Sequence, residues 1–366
     1  MSQSRTETPQ HPNLSAQEGS AAAPPSPPAP PQGGGSSPQA DVKPSLPATV
    51  WLRLNSQLGA VGLGLLGALI AELIVFSIRS PYFLETENFA DIGRAMTIVG
   101  IAAVGQTVVI IAGGFDLSVG SVMAASGMLA AYVVNAGAGT LIGLLAAMGL
   151  GLTVGLVNGS IVSFLRINPL IATLATLSVV RGVAYIISGG NAEVISNHLF
   201  LSIGTNGVGG VPIIVIVLLV LFAVFGLLIP RTRFGRYMYA IGSSARASRL
   251  AGVPVNRWRL VFYALSGVLA AVAGFIAVAR TGQAEPSANL GAELEVITAV
   301  ILGGASLAGG RGRLLGTFLG LAVLGILSNG LILIGVAAYW QQVVRGAVLL
   351  VAVCWDELRR TRRDEE

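Results

Sequence analysis

The chain has 366 residues, 53% of them apolar and only 11% charged, with a mean hydropathy of +0.76, far above that of a soluble globular protein. The net charge of +5 is concentrated in particular segments, so it reads as membrane orientation and not as affinity for nucleic acid. One cysteine, Cys354, excludes an intrachain disulfide, and with His11 in the tail and His198 in a polar stretch it offers no metal site.

Residues 1 to 48 hold 11 of the 17 prolines, including the run "APPSPPAPPQGGGSSP". That composition buries no core, so a disordered tail is expected and is set apart from the fold. No apolar run with a small-residue cleavage site precedes residue 50, so the tail does not read as a signal peptide. Residues 49 to 366 are then the transmembrane domain. Spans of ~20 residues each are expected at about 59–78, 94–113, 117–135, 141–164, 169–188, 211–230, 258–279, 293–308, 314–335 and 339–355. They lack the alternation of a membrane barrel and are rich in Leu, Ala, Val, Ile and Gly. The expected fold class is all-α, a polytopic membrane helix bundle of about ten transmembrane helices. Cys354 reads as a small core residue.

Charge sets the expected orientation. The loop 231–259 carries seven arginines and no acid, and "ELRRTRR" (357–363) lies in the C-terminal tail, whereas "PYFLETENFAD" (81–91), 189–210 and "TGQAEPSANLGAELE" (281–295) carry acids and neither Lys nor Arg. By the positive-inside rule the first group and both termini face the cytoplasm of a multi-pass inner-membrane protein. Ten spans satisfy all of these assignments; eight would not.

Two stretches echo each other, "GGFDLSVG" (113–120) and "GGASLAGG" (303–310), and a second pair, 158–182 and 329–346, runs from Asn-Gly to Val-Val-Arg-Gly. They suggest a bundle built as an internal repeat of two halves, with a path where the halves meet. Gly113 and Gly114 break a helix beside Asp116, a carboxylate too costly for a lipid-facing helix. As N-cap of a helix starting at Leu117 and Ser118 it would be stabilised by backbone N–H groups and the helix dipole. The broken segments, with Gly303, Gly304 and Ser306, are also candidates to line a translocation path together with Gln106, Ser118, Asn158 and Asn329. For each polar residue a helix–helix hydrogen bond is the competing role.

No catalytic nucleophile, base or metal set is present, and no nucleotide loop, since the sole lysine, Lys43, lies in the tail. No cofactor is expected on this chain. Ionisable residues inside spans are few: Glu72, Arg94, Arg181, Arg280 and Arg345. In the basic loop, Ser243 to Leu250 reads as a short helix opened by a serine cap and stopped at Gly252, suited to docking on a soluble partner.

The segments "VGQTVVIIAGGFDLSVGS", "GRYMYAIGSSARASRLAGV", "TAVILGGASLAGGRGRLLGT" and "SNGLILIGV", in that order, resemble the permease subunits of bacterial ATP-binding-cassette (ABC) importers for monosaccharides, the ribose type, from about residue 90 to 355. The resemblance implies sugar import through a homodimer or heterodimer of permease subunits, a cytoplasmic ABC ATPase that uses ATP and Mg, and a periplasmic sugar-binding protein. It also implies a coupling helix with a Glu-Ala-Ala-like element, to which Ser244, Ala245, Arg246, Ala247, Arg249, Leu250 and Gly252 correspond. The Glu is missing here and Arg246 replaces the middle Ala. Permeases for branched-chain amino acids are the neighbouring alternative. An ion-coupled carrier using Glu72 and Asp116 is the more distant one.

Overall fold

The computed structural model describes residues 46 to 364. The expected disordered tail therefore lies outside the described residues, except for Leu46, Pro47 and Ala48, which open the first helix. The helices are α1 (Leu46–Arg79), α2 (Thr86–Ile111), α3 (Val119–Val133), α4 (Thr140–Ser163), α5 (Pro169–Ser188), α6 (His198–Thr205), α7 (Ile213–Arg231), α8 (Arg233–Ser243), α9 (Ala245–Leu250), α10 (Val255–Thr281), α11 (Ala292–Leu302), α12 (Leu314–Leu333) and α13 (Ala338–Asp364). A π-helical turn, Val134–Ala138, extends α3, and four two-residue strands complete the described elements: β1 (Glu193–Val194) pairs antiparallel with β4 (Gln283–Ala284), and β2 (Gly207–Val208) with β3 (Val211–Pro212).

Among the described residues eight helices are long and apolar enough to cross a membrane: α1, α2, α3 with its extension to Ala138, α4, α5, α7, α10 and α12. The other two expected spans are shorter. Helix α11 has 11 residues, about 16 Å of rise, against a hydrocarbon core of roughly 30 Å. The apolar part of α13 runs only from Ala338 to Cys354. Cys354 is exposed, not the core residue expected.

Small residues decide which helices approach most closely. Gly151, Gly155 and Gly159 lie four apart on one face of α4 and meet α10. A Cβ on Gly155 would stand 2.8 Å from the Ala264 Cα, and one on Gly159 3.0 Å from the Leu260 Cα. This is close backbone packing of the small-xxx-small kind, which serves in lipid where the hydrophobic effect gives no drive between helices. Helix α2 occupies the centre, with every residue from Gly100 to Ile111 buried, and it packs on α7, α10, α11 and α12.

Contacts at the helix termini define two ends. At the acidic end, Asn135 donates to Glu193 Oε1 (2.6 Å) and to the Val194 carbonyl (2.9 Å), and Asn329 donates to Asn88 Oδ1 (2.8 Å). At the arginine-rich end, the Gly310 N–H donates to the Ile111 carbonyl (2.8 Å).

The first sequence echo is a shared helix-end cap with a shifted register. Both α2 and α11 close with the same cap: Gly113 donates to Ile110 O and Gly114 to Val109 O, as Gly304 does to Ile301 O and Ala305 to Val300 O. Gly113 (φ 76°) and Gly304 (φ 87°) hold the left-handed position that this cap reserves for glycine. Gly113 thus matches Gly304, one residue later than the sequence alignment pairs them. Both helices run toward the arginine-rich end. The second echo relates the end of α4 and α5 to the end of α12 and the start of α13, in the opposite sense that an inverted repeat requires. Asn158-Gly159 lies at the arginine-rich end, beside Leu260 early in α10, whereas Asn329 lies at the acidic end, beside Asn88, so the two segments run in opposite directions.

Candidate functional site

The seven residues between α2 and α3 are held by side chains from three other helices. Asp116 is 1% exposed. Its Oδ1 accepts the Ser118 N–H (3.0 Å) and the Ser118 hydroxyl (2.6 Å), and its Oδ2 accepts the Ser266 hydroxyl of α10 (3.0 Å). Asn158 of α4 donates to Ser118 Oγ (2.9 Å). Thr173 of α5 accepts the Leu117 N–H (3.1 Å). Tyr263 of α10 accepts the Phe115 N–H (3.1 Å) and donates to the Phe115 carbonyl (2.9 Å). These bonds meet the irregular backbone's polar groups inside protein, the condition for non-helical chain at membrane depth. Asp116 is not the formal N-cap expected. Helix α3 begins at Val119, and Asp116 instead closes a turn onto the N–H two residues on, the local bond a short carboxylate favours.

The structure brings Asp116, Ser118 and Asn158 into one cluster and leaves the other candidates apart. Gly303 packs against the backbone of Gly316 in α12, and Gly304 against Val61 of α1. The Ser306 N–H closes the loop on the Arg311 carbonyl (3.0 Å). Gln106 is wholly buried in α2, and neither of its amide atoms has a hydrogen-bond partner. Glu72 lies on α1, which packs on α12, away from the helices that enclose Asp116.

A cavity of about 810 Å³ lies between α2, the end of α10, α11, α12 and α13, within the ~300–1,000 Å³ usual for small-molecule sites. Its charged lining is Asp91, Arg280, Glu295 and Arg345; Ser328, Asn329 and Gln342 add neutral polar groups to an otherwise largely apolar wall. The charges are matched: Arg345 pairs with Glu295, and Asp91 with Arg94 (2.7 Å), and Asp91 also interacts electrostatically with Arg280. The two arginines of the Val-Val-Arg-Gly segments both hold the start of α11, since Arg181 donates to the carbonyls of Pro286 (2.8 Å) and Ala288 (2.7 Å). The half-length α11 thus opens onto the cavity with Gly291, Leu294, Glu295 and Thr298. Of the sequence candidates only Asn329 lines it. Arg280 and Arg345 were visible as rare intramembrane charges, but their convergence on the cavity comes from folding.

At the arginine-rich end, α8 leads through Ser244 into α9. The Ser244 hydroxyl caps α9 by accepting the Ala247 N–H (3.1 Å), one residue later than the serine expected. Ser248 is buried, whereas Arg246, Ala247 and Arg249 are exposed, and Leu250 is 84% exposed. Gly252 donates to the Arg249 carbonyl (3.0 Å) and ends the turn. On α8, burial pushes the Tyr239 phenol up against the opposing pull of Arg313, and its hydroxyl donates to the Gly312 carbonyl (2.8 Å).

Residues 88–353 match the family described as branched-chain amino acid transport system / permease component. The ribose import permease protein of Escherichia coli strain K12 is 40% identical over 297 residues, covering 80% of this chain and 92% of that protein. The L-arabinose transport system permease protein of the same strain is 39% identical over 297 residues (81% and 90%). The ribose import permease protein of Bacillus subtilis strain 168 is 38% identical over 293 residues (80% and 91%). No solved structure matches. The matched region takes in the clamped break after α2, the cavity and α9 alike, and the chain belongs to this family of transport-system permeases, alongside its ribose and arabinose members.

Proposed function

We propose that this chain is the membrane permease subunit of an ABC importer and passes a monosaccharide across the inner membrane. The observation that carries this reading is the 40% identity to a ribose import permease across 92% of that protein. The cavity supports it chemically. Its acids are matched by arginines, and Ser328, Asn329 and Gln342 offer neutral partners for hydroxyl groups, so an uncharged polyol enters without facing a bare charge. Gln106 lies two turns beyond the cavity residue Val99 on the same face of α2. Its unpartnered amide is the next contact for a solute passing inward. The Asp116 cluster is bonded to itself and holds the break in α2–α3 in place.

The chain supplies a gate and no engine. A separate cytoplasmic ATPase binding ATP and Mg grips α9, a second permease subunit completes the path, and a periplasmic binding protein delivers the sugar at the acidic end. Termini and α9 face the cytoplasm. ATP shifts the gate by binding one conformation of the complex better than the other. The family description favours one other reading, branched-chain amino acids.

Proteoliposomes holding the permease, its ATPase and its binding protein separate these. Labelled ribose or arabinose is expected to enter only with ATP, to resist a protonophore and to ignore excess leucine. Uptake that leucine abolishes turns the reading to amino acids. Uptake that needs no ATP and collapses with the protonophore overturns it.

A further inference from the structure

Three chain segments meet backbone to backbone at the arginine-rich end: the close of α2, the close of α8 and the loop 303–313 after α11. A Cβ placed on Gly242 would fall on the Ile111 carbonyl oxygen. One on Gly309 would stand 2.8 Å from the Gly113 Cα and 3.0 Å from the Gly242 carbonyl oxygen, and one on Gly310 2.8 Å from the Ser243 Cα. Two hydrogen bonds cross the same place, from the Gly310 N–H to the Ile111 carbonyl and from the Tyr239 hydroxyl to the Gly312 carbonyl, both at 2.8 Å. Gly242 precedes the Ser244 cap of α9 by two residues. Gly113 opens the break between α2 and α3, and Gly309 and Gly310 lie in the break between α11 and α12.

We infer that Gly113, Gly242, Gly309 and Gly310 form a rigid junction that delivers any displacement of α9 to the foot of both helix breaks at once. Side chains between packed elements absorb small shifts by changing rotamer; backbone against backbone has no such slack. Helices α2 and α11 both line the cavity, and the junction meets the last residue of α2 directly at the Ile111 carbonyl, so through α2 a shift there reaches the cavity wall without passing through an intervening loop. The four glycines are positioning residues for transport: they touch neither solute nor ATP. The inference rests on the reading of α9 as the surface an ATPase grips.

The test counts solute moved per ATP hydrolysed in the reconstituted complex. Capture of the ATPase by the wild-type chain is measured first, and its failure marks the underlying reading as the one at fault. Gly242→Ala is expected to capture the ATPase and hydrolyse ATP while its solute-per-ATP ratio falls about tenfold, within the usual span of coupling between sites. An unchanged ratio overturns the inference. A second arm does not depend on the fold of that variant. In a Cys354→Ser background, Ser243→Cys and Arg311→Cys are joined by a short, cleavable thiol linker. A junction that moves as one body keeps its ratio within about twofold when linked. A ratio that collapses on linking and returns on cleavage overturns the inference.

Discussion

At the scale of single residues, Asp116 separates holding a backbone from handling a solute. Three donors converge on its carboxylate, two from Ser118 and one from Ser266. Asp116→Ala leaves all three without an acceptor, and at roughly 1–3 kcal/mol for each orphaned buried group, less what relaxation recovers, a loss of about 2–4 kcal/mol is expected. Thermal melting of the detergent-solubilised protein reads it directly. Asp116→Asn keeps Oδ1 as acceptor for both Ser118 bonds, and the Ser266 hydroxyl turns to accept from the new amide. It is expected to melt within a few degrees of wild type and to transport normally. A folded Asn variant that has lost transport would assign the charge to the solute. The break and its acid were legible in "GGFDLSVG" because a carboxylate in an apolar run is tolerated where the helix stops and buried donors can reach it. Thr173, Tyr263 and Ser266 were not, because a hydroxyl on an apolar helix looks the same whether it caps a distant backbone or its own preceding turn.

At the scale of elements, hydropathy marked where apolar segments lie and failed on how deep each one goes. The run 293–308 scores as a span, yet α11 stops at Leu302, and Arg181 and Arg345 hold its start beside the cavity. Mean hydropathy counts apolar residues and carries no information on depth, so a half-length helix and a full one read alike. The relative direction of the echoed segments was equally hidden, since it depends on how many crossings separate them. The α4–α10 contact gives the sharpest test at this scale. On α4, Gly155 faces α10 with no room for a side chain, whereas a Cβ on Gly149 would meet nothing within 4 Å. Gly155→Leu is expected to abolish the folded protein, seen as loss of the monodisperse peak in size-exclusion chromatography. Gly149→Ala should be neutral or raise stability by up to about 1 kcal/mol through helix propensity. Equal damage from both substitutions would show that α4 tolerates no change anywhere and that the close approach is not the cause.

At the scale of the whole molecule, the distribution of charge and the placement of α9 make one claim about orientation. The seven arginines between 231 and 259 fall on α7, α8, α9 and the start of α10. The β2–β3 hairpin that connects α6 to α7 is at the other end of α7 and carries no arginine. An ATP-driven partner is confined to the cytoplasm, so the import reading requires the first group inside and the hairpin outside. The chain lends itself to the measurement because it has a single cysteine, Cys354, which is exposed and is first replaced by serine. Val208 on the hairpin is 65% exposed and Leu250 on α9 84% exposed, so a thiol at either position is open to reagent. A membrane-impermeant maleimide is expected to label Val208→Cys in intact cells, and Leu250→Cys only after the inner membrane is breached. Adding the ATPase to breached membranes should then protect Leu250→Cys and leave Val208→Cys reactive, because only α9 is covered. The reverse labelling order would set α9 on the face where no ATP is found and defeat the importer assignment, however close the sequence lies to ribose permeases.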